Sequence, residues 1–257
     1  PIDVGQFLEE KLWSKRTAVL TSATLPPDLP ERLGLPTDSY SYKDVGSPFN
    51  FADQALLYCA LHMPDPRSDT YREAVVEELT HLITAAEGRT LCLFTSWKAL
   101  NETATLLADR IDFPLLSQKD FPKPKLIEKF TSEPETVLLA TMGFWQGIDV
   151  PGDTLSLVTI DKIPFPRPDD PLLQARRDLA GSAAFRQVDL PRAATLLAQG
   201  TGRLIRTIHD RGVVAVLDPR LGKANYRWYL VQNLPPMTRT KNREEATDFL
   251  SSISRAR

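Results

Sequence analysis

Short apolar segments that alternate with amphipathic helical stretches constrain the fold of this chain more than any other feature. Residues 213–217 are apolar throughout, as expected of a strand buried on both faces of a parallel sheet. Between such segments apolar residues recur at helical spacing, for example at Val75, Leu79 and Leu82. The strand-like segments are residues 18–21, 55–61, 90–95, the stretch around Leu115, 137–140, 155–160 and 213–217. We therefore predict an α/β fold with a mostly parallel sheet, helices on both faces and ligands at the carboxyl ends of the strands.

Composition excludes several classes of protein. The 257 residues carry a formal net charge of −2, so the overall positive field of a protein that coats nucleic acid is not expected. No apolar run approaches the roughly 20 residues that span a bilayer, and a soluble, cytoplasmic protein without membrane contact is the expectation. Cys59 and Cys92 lie in strand-like segments and are predicted to be buried thiols. The three histidines lack metal-ligand spacing, so we predict no metal site.

The most informative segment is residues 199–206, QGTGRLIR, which continues a predicted helix. On a helix, Gln199, Arg203 and Arg206 would fall on one side and place one amide and two guanidinium groups in a row. Guanidinium groups are permanently charged and bind phosphate oxygens in pairs, which suits phosphoryl transfer. Gly200 and Gly202 each cost about 1 kcal/mol inside a helix, which favours close approach to another surface. The alternative interpretation of the pattern is an exposed basic helix end.

This segment resembles motif VI of superfamily 2 helicases, in the QxxGRxIR form that DinG and XPD relatives carry. The resemblance implies that Arg203 and Arg206 are catalytic arginines directed at the phosphates of ATP. It also implies that Gln199 takes part in nucleotide binding.

A second segment, residues 143–152 with the sequence GFWQGIDVPG, resembles motif V of the same relatives and directly follows a predicted strand. The resemblance implies nucleotide contacts by Gly147 and Asp149 and a DNA contact by Phe144. Backbone amides of a glycine-bounded turn can approach an anion closely, and a tight β-to-α connection is the alternative interpretation. Gln146 departs from the family pattern, since relatives usually have glutamate there.

Two shorter matches support the same family. Residues 94–97, FTSW, resemble motif IV and imply that Thr95 and Ser96 contact DNA, while Trp97 shares a helical face with Leu100 and Ala104 and is predicted to be core. Residues 21–25, TSATL, resemble motif III, which couples nucleotide state to nucleic-acid binding. That resemblance assigns coupling roles to three hydroxyl-bearing residues, Thr21, Ser22 and Thr24.

The segment KIPFPRPDDP, residues 162–171, is similar to the proline-rich stretch after motif V in DinG and XPD relatives, and it favours this branch over RNA helicases of the DEAD-box type. A phosphate-binding loop of the form GxxxxGK followed by Ser or Thr is absent, because Ala224 follows the only Gly-Lys pair. An acidic DEAH-type box is absent as well. In the family both elements, the Mg²⁺ ligands and any iron–sulfur cysteines lie upstream, in the first domain.

We therefore predict that residues 1–50 are the end of a first helicase domain with motif III and a crossover, and that residues 51–257 form a second RecA-like domain of the P-loop NTPase type. The resemblance implies an ATP-dependent DNA helicase that uses ATP and Mg²⁺, acts on single-stranded or forked DNA, and is inactive without its upstream helicase domain. The alternative is a non-catalytic RecA-like module that binds nucleic acid or serves as a scaffold.

Overall fold

The computed structural model describes residues 4–22, 29–141, 144 and 154–255. The chain divides into two compact units. The smaller contains residues 1–47 and 165–195, and the larger contains residues 48–164 and 196–257.

The larger unit is built on a sheet in which every observed strand pairing is parallel. Its strands are β1 (Ala55–Cys59), β2 (Thr90–Phe94), β3 (Leu115–Ser117), β4 (Val137–Thr141), β5 (Leu157–Ile160), β6 (Gly212–Val216) and β7 (Thr238–Thr240). Their spatial order is β3-β4-β2-β5-β6-β1-β7. The predicted parallel sheet is confirmed. The sequence pattern did not predict β7, because this short and mostly exposed outer strand contains no apolar run.

The described residues form α-helices in both units. They are α1 (Gly5–Leu8), α2 (Leu29–Arg32), α3 (Phe51–Gln54), α4 (Tyr71–Ala85), α5 (Trp97–Leu107), α6 (Lys123–Ser132), α7 (Pro171–Ala180), α8 (Leu190–Thr201), α9 (Arg220–Lys223), α10 (Arg227–Gln232) and α11 (Arg243–Arg255). Alternation of strand and helix through the larger unit is the pattern from which the α/β fold was predicted.

Both faces of the sheet are buried. On one face α4, α5 and α11 pack over alternate strand residues, among them Tyr58, Cys92 and Leu139. The intervening residues, such as Leu93 and Val214, point to the opposite face and are also buried. Burial on both faces explains why the central strands are apolar at nearly every position, with single buried threonines such as Thr159 in β5.

Because the strands run parallel, the sheet has two chemically different edges. We call the edge where strands end the carboxyl edge and the edge where they begin the amino edge. Ala55, the first residue of β1, lies opposite Gly212, the first residue of β6, so the starts of these neighbouring strands are level. A loop that leaves a strand therefore lies at the carboxyl edge, and a loop that follows a returning helix lies at the amino edge.

The smaller unit contains α1, which is followed by a π-helical turn, Glu9–Trp13. The indole N–H of Trp13 donates a hydrogen bond to the carbonyl of Leu33 at 2.7 Å. The strand predicted at residues 18–21 is wrong: these residues have no regular secondary structure and are exposed, and no described residue pairs with them as a strand. An apolar run forms a strand only where a neighbouring backbone is available for hydrogen bonding.

Cys59 and Cys92 are free thiols in strands; Cys92 is buried, as predicted, whereas Cys59 is only half-buried. Burial raises the pKa of Cys59 to about 11 and that of Cys92 to about 12, so both stay protonated at neutral pH. Among the described residues, no helix has the length and apolar character that crossing a bilayer requires.

Candidate functional site

The segment with the motif VI pattern does not form one helical row. Helix α8 ends at Thr201, and Arg203 lies in the turn that follows, where its N–H donates to the carbonyl of Gly200 at 3.3 Å. Arg206 lies beyond that turn, outside any helix. The predicted stripe of Gln199, Arg203 and Arg206 on one helix is therefore wrong, and only Gln199 is helical. Two glycines within three positions lower the helix propensity enough for the helix to end there.

This segment lies at the amino edge of the sheet. Helix α8 returns the chain toward the start of β6, and the turn after it packs on that start. A Cβ atom added to Gly212 would lie 2.6 Å from the Cδ1 atom of Leu204, which shows how closely Leu204 covers the strand. The prediction that ligand loops lie at the carboxyl ends is wrong for Arg203 and Arg206, because a loop after a returning helix lies at the opposite edge.

The polar groups of this segment are partly withdrawn from solvent. Gln199, Arg203 and Arg206 are each half-buried. The side-chain oxygen of Gln199 is buried and accepts no hydrogen bond from any described residue. A buried acceptor without a donor costs about 1–3 kcal/mol. An amide oxygen left in this state beside an arginine-bearing turn points to a donor group that the described residues do not supply.

Two residues that the sequence analysis did not single out hold the backbone around Arg206. The buried carboxylate of Asp210 accepts hydrogen bonds from the N–H of Arg206 at 2.6 Å and from the N–H and hydroxyl of Thr207, each at 2.7 Å. The side-chain amide of Gln54 donates to the carbonyls of Thr207 and Asp210, both at 3.0 Å. We call Asp210, Gln54 and Thr207 the Arg206 clamp. No sequence pattern links Gln54 to a loop more than 150 residues later.

Thr95 and Ser96 lie at the carboxyl edge, as predicted for DNA-contacting residues. Ser96 caps α5, since its hydroxyl accepts a hydrogen bond from the N–H of Ala99 at 3.2 Å. The N–H and hydroxyl of Thr95 donate to the buried carboxylate of Asp161, at 2.9 and 3.3 Å. Burial raises the pKa of Asp161 to about 7, although the hydrogen bonds from Thr95 oppose that rise. The end of β2 is thus held by the side chain of Asp161, the residue that directly follows β5.

A cavity of about 440 Å³ opens at the same edge, between the ends of β2 and β5 and the starts of α4 and α5. Its lining is mixed: it includes the cationic side chains of Arg67, Arg72, Lys98 and Lys162 and the acidic side chains of Asp69, Glu102 and Asp161. Arg72 is paired with Glu102 at 2.9 Å. The ammonium group of Lys162 donates to the carbonyl of Pro66 at 3.1 Å. Lys98 is exposed at the rim, beside Ser96.

The structure reverses two predictions for aromatic residues near this edge. Phe144 is only 2% exposed, and the ammonium group of Lys123 lies 5.3 Å from its ring centroid, so its ring is not presented for DNA contact as predicted. Trp97, predicted to be core, is 47% exposed at the start of α5. The neighbours that cover a ring decide its burial, and Lys123 reaches Phe144 from a different helix.

The remaining predicted site residues are less informative. Thr21 and Ser22, of the motif III segment, are exposed residues of the smaller unit. Thr24, Gly147 and Asp149 lie outside the described residues. The motif V segment is therefore represented in the described structure by Phe144 alone.

The parallel sheet and the connections at its two edges define a RecA-like α/β domain. Among solved structures, Xpd4 of S. tokodaii has a TM-score of 0.65 with this chain, at 19% identity, over 93% of the chain and 48% of that protein. This likeness concerns the fold.

A family model for the helicase C-terminal domain matches residues 79–237, more than half of the chain. The chain belongs to the helicase C-terminal domain family. It is 44% identical, over its whole length, to a Mycobacterium tuberculosis protein named ATP-dependent helicase DinG. It is 37% identical, over 98% of its length, to ATP-dependent DNA helicase YoaA of Haemophilus influenzae. The chain spans about 40% of the length of each of these relatives.

Proposed function

We propose that this chain supplies the second motor domain of an ATP-dependent DNA helicase of the DinG and XPD type. In this proposal residues 1–50 are the end of the first helicase domain with the crossover, and residues 51–257 form the second RecA-like domain. The family membership and the relatives named as helicases support it. Since the chain covers less than half of those relatives, the activity is that of the longer protein.

The observation that carries the proposal is the buried, unsatisfied amide oxygen of Gln199 beside the turn that bears Arg203 and Arg206. All three residues are half-buried at the amino edge. Two guanidinium groups there can approach the γ-phosphate of an ATP held by an upstream domain, and Gln199 can accept a hydrogen bond from the nucleotide or from a water bound to it. Mg²⁺ would be held by that upstream domain, because Gln199, Arg203 and Arg206 are neutral or cationic and the carboxylate of Asp210 is directed at the backbone of Arg206 and Thr207.

Arg203 and Arg206 act by charge. During hydrolysis negative charge builds on the oxygens around the transferred phosphoryl group, and a fixed guanidinium stabilises that charge more than it stabilises bound ATP. Such arginines contribute roughly 10³- to 10⁵-fold in rate in related phosphoryl-transfer enzymes. Loss of either arginine should therefore lower kcat more than it changes KM.

We propose that single-stranded DNA crosses the carboxyl edge, bound mainly through its phosphates. Thr95 and Ser96 offer hydroxyl groups there, and Lys98 offers a charge at the rim of the polar cavity. The exposed ring of Trp97 is available for stacking on a base. Nucleotide and DNA would then lie at opposite edges of one sheet, with the close-packed core between them.

The test is DNA-stimulated ATP hydrolysis by the intact protein with Arg206→Ala. We expect kcat to fall by about 10³-fold or more. Arg211→Ala is the matched control: Arg211 is an exposed arginine at the same edge whose guanidinium lies 5.1 Å from the ring centroid of Phe249. It should keep nearly full turnover. Full turnover by Arg206→Ala would overturn the proposal and favour a non-catalytic RecA-like module.

A further inference from the structure

We infer that Asp210 and Gln54 are positioning residues for Arg206: they set the direction of the backbone from which the catalytic arginine projects. This inference rests on the proposed function. It assigns a role to two side chains that never touch ATP, on two segments far apart in the chain.

Asp210 acts directly on the backbone of Arg206. It is 5% exposed, and its carboxylate accepts three hydrogen bonds, from the N–H of Arg206, the N–H of Thr207 and the hydroxyl of Thr207. Hydrogen bonds to an ionised acceptor are roughly twice as strong as those between neutral groups. Two consecutive N–H groups directed at one carboxylate orient the two peptide planes that flank the Cα atom of Arg206.

Gln54 binds the carbonyl groups of the same loop. It is 7% exposed, and its amide nitrogen donates to the carbonyls of Thr207 and Asp210. Gln54 is the last residue of α3 and immediately precedes β1. The loop is therefore attached to the first strand of the larger unit, next to the stretch proposed as the crossover between helicase domains.

The tip of the loop is exposed: Ile208 and His209 are both exposed, and the side chain of Ile208 is not part of the described core. On the preceding side Leu204 and Ile205 are buried and anchor the chain. Arg206 thus lies between an anchored pair and an exposed loop tip, and the clamp holds its backbone through two N–H groups. Since a misplacement of 1 Å in a catalytic group can cost about 10²-fold in rate, the clamp has a direct effect on turnover.

The test uses DNA-stimulated ATP hydrolysis by the intact protein. Asp210→Ala should lower kcat on the order of 10²-fold while changing KM for ATP far less, because a transition-state contact is weakened. Asp210→Asn, which keeps an acceptor without the charge, should fall between wild type and Asp210→Ala. Gln54→Met, which keeps the shape and removes both donors, should also lower kcat.

Thr207 provides a matched pair of variants. Thr207→Val removes the hydroxyl and keeps the shape, so we expect a lower kcat, and Thr207→Ser should restore it. Asn242→Ala controls for general loss of stability. Like Asp210, Asn242 accepts a hydrogen bond from a backbone N–H through its side-chain oxygen, here from Glu244 at 2.9 Å at the start of α11. That variant should lower the melting temperature without lowering kcat.

Hydrogen exchange gives a readout that does not depend on activity. The amides of Arg206 and Thr207 should lose protection in Asp210→Ala and keep it in Asn242→Ala. If Arg206→Ala abolishes turnover but Asp210→Ala and Gln54→Met leave kcat unchanged, the positioning role is overturned and the proposed function stands. If Arg206→Ala itself retains turnover, the proposed function fails and the positioning role fails with it.

Discussion

Asp161 accepts two hydrogen bonds from one residue, Thr95, through the backbone N–H at 2.9 Å and the hydroxyl at 3.3 Å. The backbone carbonyl of Asp161 accepts a further bond from the hydroxyl of Tyr71 at 2.5 Å. The residue therefore ties the end of β5 to the end of β2 and to the start of α4. Because the carboxyl group of Asp161 is titratable, its contribution to the stability of the fold depends on pH.

The first prediction concerns that pH dependence. Burial raises the pKa of Asp161 to about 7, whereas an unfolded aspartate has a pKa of about 3.9. Between these values the folded chain binds more protons than the unfolded chain, so this group's contribution to stability falls as pH rises from about 4 to 7. Asp161→Asn removes the ionisation, and its melting temperature should drop less than that of wild type between pH 5 and pH 8.

Thermal unfolding at several pH values measures this difference. Asp109→Asn, at an exposed aspartate near the end of α5, is the control and should follow the wild-type profile. An Asp161→Asn profile parallel to that of wild type would contradict the assigned pKa.

The second prediction separates the two aromatic residues at the carboxyl edge. Trp97→Ala should weaken binding of single-stranded DNA by about 1–3 kcal/mol, the usual value of one base stacked on an aromatic ring, with little loss of stability. Phe144→Ala should instead destabilise the fold by about 3–5 kcal/mol, because it empties a buried site.

Fluorescence anisotropy with a labelled oligonucleotide, combined with thermal unfolding of both variants, measures the two effects. Trp97→Phe keeps an aromatic ring and should retain most of the affinity. Unchanged DNA affinity in Trp97→Ala would remove this residue from the DNA path.

The third prediction concerns the connection between α4 and β2. Gly88 has φ +75°, and its N–H donates to the carbonyl of Ile83 at 3.1 Å, so α4 ends in a left-handed glycine. A Cβ atom there would lie 1.9 Å from the carbonyl oxygen of Glu135. Gly88→Ala should cost more than the roughly 1–2 kcal/mol of a left-handed residue alone.

Gly181→Ala isolates the conformational part of that cost. Gly181 has φ +54° and no atom within 4 Å of an added Cβ, so it carries the strain without the clash. Thermal unfolding of both variants gives the comparison. Equal losses of stability in the two variants would mean that the clash with Glu135 is relieved without a cost in free energy of unfolding.

The fourth prediction concerns a buried carboxylate in the core. Glu78 accepts a hydrogen bond from the hydroxyl of Tyr58 at 2.6 Å and pairs with His62 at 3.0 Å and Arg243 at 3.4 Å. Glu78→Ala leaves the buried hydroxyl of Tyr58 without its acceptor, which costs about 1–3 kcal/mol in addition to lost packing.

Glu102→Ala is the control, because it breaks an ion pair with Arg72 in which both side chains are partly exposed. An exposed pair of this kind contributes roughly 0–1 kcal/mol. Denaturant unfolding of the two variants should therefore differ clearly. If Glu78→Ala costs no more than Glu102→Ala, the network of Glu78 does not stabilise the core.

The sequence by itself determined the elements that depend on neighbours close in the chain. Largely apolar runs identified β2, β4 and β6, because a strand buried on both faces is apolar at most of its positions. Helical spacing identified α4 and α5, and the pattern QGTGRLIR identified the family before any coordinates. These features are local, so a window of a few residues contains the information that forms them.

Tertiary structure alone decided how the site is arranged. Strand order and the direction of α8 place Arg206 and Thr95 at opposite edges of the sheet, and the end of α8 at Thr201 separates Gln199 from the two arginines. Lys123 covers Phe144, and Gln54 holds the loop of Arg206. Contacts between residues distant in the chain form only when the whole sheet assembles. Local spacing therefore does not determine which ring is covered or which amide finds which carbonyl.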